Sequence, residues 1–198
     1  MLSDTQLEDL CRKMDIPLVG IYFKDELPRK IEYNKGYIIN IEDSVSGEGL
    51  QNDGTHWTCM FIKKYHDGHI EPIYFDSFGA PPPEAVKKFV KNNTSKFLPN
   101  TTKDIQSLIN NACGWYCCAF LYAITNPKMA CGNLYDDIDN FLQMFDDLTT
   151  SHEYKKNEFI LKQFFRSSDP SLRKEINVDD VDKDHSGHER FCIDTALM

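Results

Sequence analysis

The sequence predicts an α+β fold in which an antiparallel sheet packs against one central, buried helix. Three observations predict it. Residues 37–75 hold strand-forming segments folded about an Asp67-Gly68 pair. Residues 111–124 carry no charged side chain and would surround a helix with apolar and small groups on every side. The flanking segments repeat apolar residues at helical spacing, starting from the capping-box pattern Ser3-Asp4-Thr5-Gln6. With 198 residues and 41% hydrophobic content, the chain can build one domain with a substantial core. Residues 1–168 are assigned to that domain. Residues 169–198 shift to charge and read as an acidic carboxy-terminal tail, extended or docked on the same domain.

Taken in order, Leu7, Leu10, Cys11 and Met14 give a leading helix over 4–14, which Pro17 ends. Leu18 to Phe23 is a brief apolar stretch, and Tyr37-Ile38-Ile39-Asn40-Ile41 is strand-like because of its β-branched and aromatic content. Residues 42–54 turn polar and glycine-bearing, as a surface loop does. A hairpin follows, with Thr55–Ile62 as one strand and Ile70–Phe75 as the other. Antiparallel pairing brings His56, at the start of the first strand, toward Asp76, at the end of the second. His66 and His69 flank the opposite end and are assigned no function. Pro81-Pro82-Pro83 forms a stiff connector into a short helix over Glu84–Val90, and residues 92–104 read as loop. Beyond the central helix, ended by Asn126-Pro127, Leu134, Ile138, Phe141, Leu142, Phe145 and Leu148 form an apolar stripe with acidic residues opposite. A last amphipathic helix is expected over Glu153–Arg166. Asp180, Asp182 and Asp184 do not form a calcium loop, because His185 and Phe191 stand where glycine and an acidic residue are required.

The formal net charge of −9 argues against nucleic acid as the main partner, since phosphate binding depends on clustered Lys and Arg. Seven cysteines without a disulfide-scaffold spacing, and an amino terminus without an apolar signal segment, point to a reducing intracellular setting rather than secretion. The central apolar run, about a dozen residues, is shorter than the roughly 20 that span a bilayer, so no membrane partner is expected.

Cys113 opens the central helix, where orphan N–H groups and the helix dipole favour a thiolate; Asn110-Asn111 are candidate caps. Gly114 beside it permits close approach of a backbone or a substrate. A thiol protease needs a thiolate, an imidazole that moves a proton, a group orienting that imidazole and donors for an oxyanion. Cys113, His56, Asp76 and Gln106 supply these in turn, with the Cys113 N–H as a second oxyanion donor. Cys117 and Cys118 read as core.

Residues 111–121, Asn-Ala-Cys-Gly-Trp-Tyr-Cys-Cys-Ala-Phe-Leu, resemble the nucleophile segment of the adenain-type (adenovirus maturation) cysteine proteases. Gly54-Thr55-His56-Trp57 resembles the histidine segment of that family, and Tyr74-Phe75-Asp76-Ser77-Phe78-Gly79 its acidic segment. Gln106, seven residues before the cysteine, stands as its oxyanion glutamine does. The likeness is greatest to the versions carried by virophages and Maverick or Polinton elements, and extends weakly over nearly the full length, to Cys192. It implies a papain-like, adenain-like fold and an endopeptidase that trims viral capsid or core precursors at glycine-containing motifs during virion maturation. Such an enzyme acts in the infected host cell and is packaged in the virion. Trp57 is then a candidate wall of a narrow cleft or, equally, a core residue, and Gly114 is a candidate cleft residue. Asp76 stands where adenain has glutamate, a shorter carboxylate that can orient the imidazole equally. Peptide and DNA activators belong to the resemblance, but residues 92–105 contain no cysteine for a peptide disulfide and the charge provides no basic surface. No cofactor or metal is required, and a monomer is favoured.

Two other readings stand beside this one. A deubiquitinase or SUMO-protease-like enzyme would share the arrangement and cut after diglycine. A noncatalytic interaction protein would use the cysteine helix as core alone, or hold zinc through Cys113, Cys117 and His56. Val45-Ser46-Gly47-Glu48-Gly49 resembles a glycine-type cleavage site open to self-processing.

Overall fold

The computed structural model describes residues 1–149 and 154–165. The tail from Asp169 and Cys192 therefore lie outside the described residues. Element order is α1 (Asp4–Lys13), β1 (Leu18–Phe23), β2 (Gly36–Asn40), β3 (Trp57–Lys64), β4 (Ile70–Phe75), α2 (Glu84–Thr94), α3 (Cys113–Thr125), α4 (Leu134–Gln143) and α5 (Tyr154–Phe164). The fold is α+β, as the sequence predicts.

The Ser3 hydroxyl accepts from the Gln6 N–H and the Gln6 side chain accepts from the Ser3 N–H, so the capping box forms in full. Helix α2 runs one turn beyond the predicted Val90, because Asn93 and Thr94 return their side chains to the Phe89 and Val90 carbonyls. Ser95, in the left-handed conformation, ends it.

The sheet has the order β1-β2-β3-β4, and it is mixed rather than wholly antiparallel. The β2–β3 and β3–β4 pairs are antiparallel, whereas β1 runs parallel to β2 with a register shift between Leu18 and Gly20. Residues 24–35 cross back without a helix, so β1 enters the edge in the same direction as its neighbour.

Both faces of the sheet are covered. Ile38, Cys59, Phe61, Ile73 and Phe75 point to the side occupied by α1, α3, α4 and α5. Tyr37, Ile39, Met60, Ile62 and Tyr74 point to the other, where Val86 and Val90 of α2 and Leu98 close a smaller core. Strands covered twice need apolar residues at every position, which is why β2 and most of β3 are buried throughout. Helix α3 is the centre of the larger core, with every residue from Cys113 to Ile124 buried. Its Phe120 stacks on Phe75 of β4 at 4.4 Å and meets Phe141 of α4 edge-on at 5.5 Å.

Helices α4 and α5 lie on the outer side of α3. The polar face predicted for α4 holds with one exception: Asp137 is buried and its carboxylate accepts from the Cys131 N–H. Helix α4 ends at Gln143, but Phe145 still enters the core. Among the described residues no helix is long and apolar enough to cross a membrane.

Candidate active site

His56 immediately precedes β3 and Asp76 immediately follows β4, and the antiparallel pair brings these ends together. His56 Nε2 lies 3.0 Å from Asp76 Oδ1, with both side chains buried. The same oxygen accepts from the Phe78 N–H at 2.8 Å, and the Gly79 N–H donates to the Asp76 carbonyl at 2.9 Å. Phe78 then turns back so that its ring stacks on the imidazole with centroids 4.8 Å apart. The turn depends on Gly79. Its φ is +72°, and a Cβ there would come within 2.4 Å of the Thr102 carbonyl oxygen.

Cys113 lies near enough to the imidazole to act on its proton. The Trp57 N–H also donates to Cys113 Sγ, at 3.4 Å. Burial works to remove the proton from His56. The hydrogen bond to Asp76 and its carboxylate charge, with the neighbouring Cys113 sulfur, more than offset it, and the imidazole pKa is pushed up to about 9.

Cys113 is the first residue of α3, and Asn110-Asn111 do not cap that helix. Ala112 holds the N-cap position and among the described residues no side chain caps the first turn. The Asn110 side chain instead accepts from the Ala112 N–H at 3.3 Å, one residue too early. The start of α3 thus keeps the donor character of uncapped N–H groups next to the sulfur.

Gln106 is buried and attached to the residue after Asp76. Its N–H donates to the Ser77 carbonyl, and its Oε1 accepts from the Ser77 hydroxyl at 2.6 Å. Nε2 donates to the Asn110 carbonyl at 3.1 Å. A carbonyl can only accept, so this contact fixes which end of the amide is nitrogen; a second amide hydrogen remains to donate.

The fold therefore joins His56 to Asp76 directly, holds the Cys113 sulfur against the backbone of the residue after His56, and ties Gln106 to the residue after Asp76 through Ser77. Of the two readings of Trp57 the structure favours core, and Gly114 faces the amino-terminal segment. Trp57 is 5% exposed and its indole N–H donates to the Leu2 carbonyl at 2.8 Å. A Cβ at position 114 would approach Leu7 to 2.9 Å and both Leu2 and Trp57 to 3.4 Å, so the missing side chain admits the amino-terminal segment rather than a bound peptide. Ser77 and Phe78 had no assigned role at the sequence level, and Asn110 was read only as a candidate helix cap. Phe78 lies inside the acidic segment and could have been found by asking what steadies Asp76.

Cys117 is fully buried one turn further along α3, and burial pushes its thiol well up. Among the described residues no group of three or more His, Cys, Asp or Glu side chains is arranged to hold a metal ion, Cys113, Cys117 and His56 included. Residues 45–49 lie in an exposed turn closed by the Val45–Gln51 bridge. The chain matches no protein-family model, and no curated protein is significantly similar to it.

Proposed function

We propose that this chain is a cysteine endopeptidase of the adenain type, cleaving viral capsid or core precursors at glycine-containing motifs during virion maturation. The observation that carries the reading is the connected Cys113–His56–Asp76 arrangement, with the sulfur at the uncapped start of α3 and the imidazole held protonated beside it. The resemblance of the segments around His56, Asp76, Gln106 and Cys113 supplies the substrate class.

In this mechanism the Cys113 thiolate attacks the peptide carbonyl carbon, and the Cys113 N–H and Gln106 Nε2 receive the oxyanion. As the tetrahedral intermediate collapses, the C–N bond breaks and the His56 imidazolium gives its proton to the leaving amine. Neutral His56 next takes a proton from water, whose oxygen attacks the thioester. The C–S bond then breaks, releasing the acid and restoring the thiolate–imidazolium pair. Asp76 keeps the ring oriented through both halves.

The test is cleavage of a glycine-motif peptide library by the purified chain, alone and with added DNA or viral peptides. Cutting at internal glycine motifs that disappears in Cys113→Ala is the expected result. Cysteine-dependent cutting only after the diglycine of a modifier would replace the substrate class. Silence under every condition, with Cys113 inert to alkylation, would overturn the enzyme reading.

A further inference from the structure

Helix α5 docks on the core through Ile160, Leu161 and Phe164, yet it also buries Asn157 and Glu158. An amide and a carboxylate on the inner side of a packing helix cost stability unless they are satisfied. Both reach the segment that carries Gln106. Asn157 Nδ2 donates to the Ile105 carbonyl at 3.0 Å and to the Asp146 carbonyl at 2.8 Å, and its Oδ1 accepts from the Asp146 N–H at 2.8 Å. The Ile105 carbonyl accepts as well from the Tyr116 hydroxyl of α3, at 3.0 Å. The residue before Gln106 is thus held by two helices.

Glu158 acts on the other side of Gln106. Its carboxylate accepts from Asn110 Nδ2, and Asn110 is the residue whose carbonyl accepts from Gln106 Nε2. The intervening Leu108 and Ile109 are 86% and 76% exposed, so they give this loop no apolar anchor. Its placement falls to the polar contacts of Asn110: its N–H to the Ser107 carbonyl, its Oδ1 to the Ala112 N–H, and its Nδ2 to Glu158. The last is the one contact of the three that reaches outside the loop, to α5.

We propose that Glu158 is a positioning residue for the reaction: through Asn110 it sets the side-chain amide of Gln106 where the oxyanion forms. The proposal rests on the protease reading. It makes α5, forty-five positions beyond the cysteine at Glu158, part of the machinery that stabilises the transition state.

The experiment measures kcat and KM on a glycine-motif peptide, together with the rate of Cys113 alkylation by iodoacetamide. The full chain is compared with Glu158→Ala, Glu158→Gln, Gln106→Ala and the Glu158→Ala/Gln106→Ala double variant. Glu158→Ala is expected to lower kcat by roughly ten- to a hundredfold, the scale of a small misplacement of a reacting group, with KM and alkylation unchanged. Glu158→Gln, which still accepts from Asn110, restores most of the rate. In the Gln106→Ala background Glu158→Ala should cost nothing further, because the group it positions is gone. Equal losses in both backgrounds, or a parallel fall in alkylation, overturn the proposal while leaving the protease reading intact. If Glu158→Ala loses its native circular dichroism spectrum, Asn110→Ala breaks the same contact from the loop side and replaces it in the cycle. Absence of turnover by the unmodified chain, with alkylation independent of His56, overturns the protease reading and this proposal with it.

Discussion

His56 holds its proton more tightly in the folded chain than an ordinary histidine does, with a pKa moved from 6.5 to about 9. Below pH 6.5 both folded and unfolded chains carry that proton, and the stabilisation is fully present. Between 6.5 and about 9 the unfolded chain releases the proton while the native one keeps it, so stability falls as pH rises; above 9 the contribution is gone. Its size is on the order of a few kcal/mol. Denaturant unfolding from pH 6 to 10 should show this loss in the wild type and a flattened profile in His56→Gln. If the chain is the proposed protease, kcat/KM should also fall on an alkaline limb near pH 9, as the imidazole stops supplying a proton to the leaving amine. Asp76→Asn removes the carboxylate charge and should move that limb to lower pH. At this scale the sequence was informative where residue type and position coincide: a histidine before one hairpin strand, an acid after the other, a cysteine opening a helix. Ser77, Asn110 and Glu158 were not legible, because hydroxyls, amides and carboxylates are common on surfaces and their partners here lie 29 and 48 positions away.

His56, Asp76 and Cys113 each sit at the end of a regular element, and the loop after β4 carries the turn that holds Asp76. Gly79→Ala tests that loop. The substitution places a side chain in a left-handed conformation and against the Thr102 carbonyl, at a cost of about 2 kcal/mol or more. Thermal unfolding should show the drop. Peptide turnover should fall beyond what the lost stability explains, because Asp76 and Phe78 move with the turn. A variant with wild-type melting temperature and turnover would show that the turn tolerates the change. The first and last helices were predicted within two residues of their observed bounds, since caps and 3.6-residue periodicity are written locally, whereas α2 was predicted a turn too short and the stripe through Leu148 outruns α4, which ends at Gln143. The direction of β1 was not predicted. Alternation and β-propensity are the same for a parallel and an antiparallel strand, and the crossover that decides between them is an irregular segment.

At the scale of the whole molecule, one helix is common to the core and the candidate site. Helix α3 begins at the sulfur and continues through the packed aromatic centre, so a defect deep in the core and the placement of Cys113 share one element. Phe120→Ala removes the ring between Phe75 and Phe141 and should cost about 3–5 kcal/mol, read by chemical denaturation. Alkylation of Cys113 should quicken or slow together with that loss; an unchanged rate would separate the core from the site. The two-sided burial of the sheet was implicit in the nearly unbroken apolar runs of β2 and β3, although α2 gave no local sign of which face it would cover.

The tether between Trp57 and Leu2 has an optical consequence. The chain has two tryptophans: Trp115 is enclosed against Phe165, whereas Trp57 lies over Gly114 with its own backbone N–H on the Cys113 sulfur. Thiolates quench indole emission by electron transfer over short distances, and an alkylated sulfur does not. Capping Cys113 is therefore expected to brighten the intrinsic fluorescence of the unlabelled chain, with Trp57, whose backbone N–H meets the sulfur, as the reporter of that residue's state.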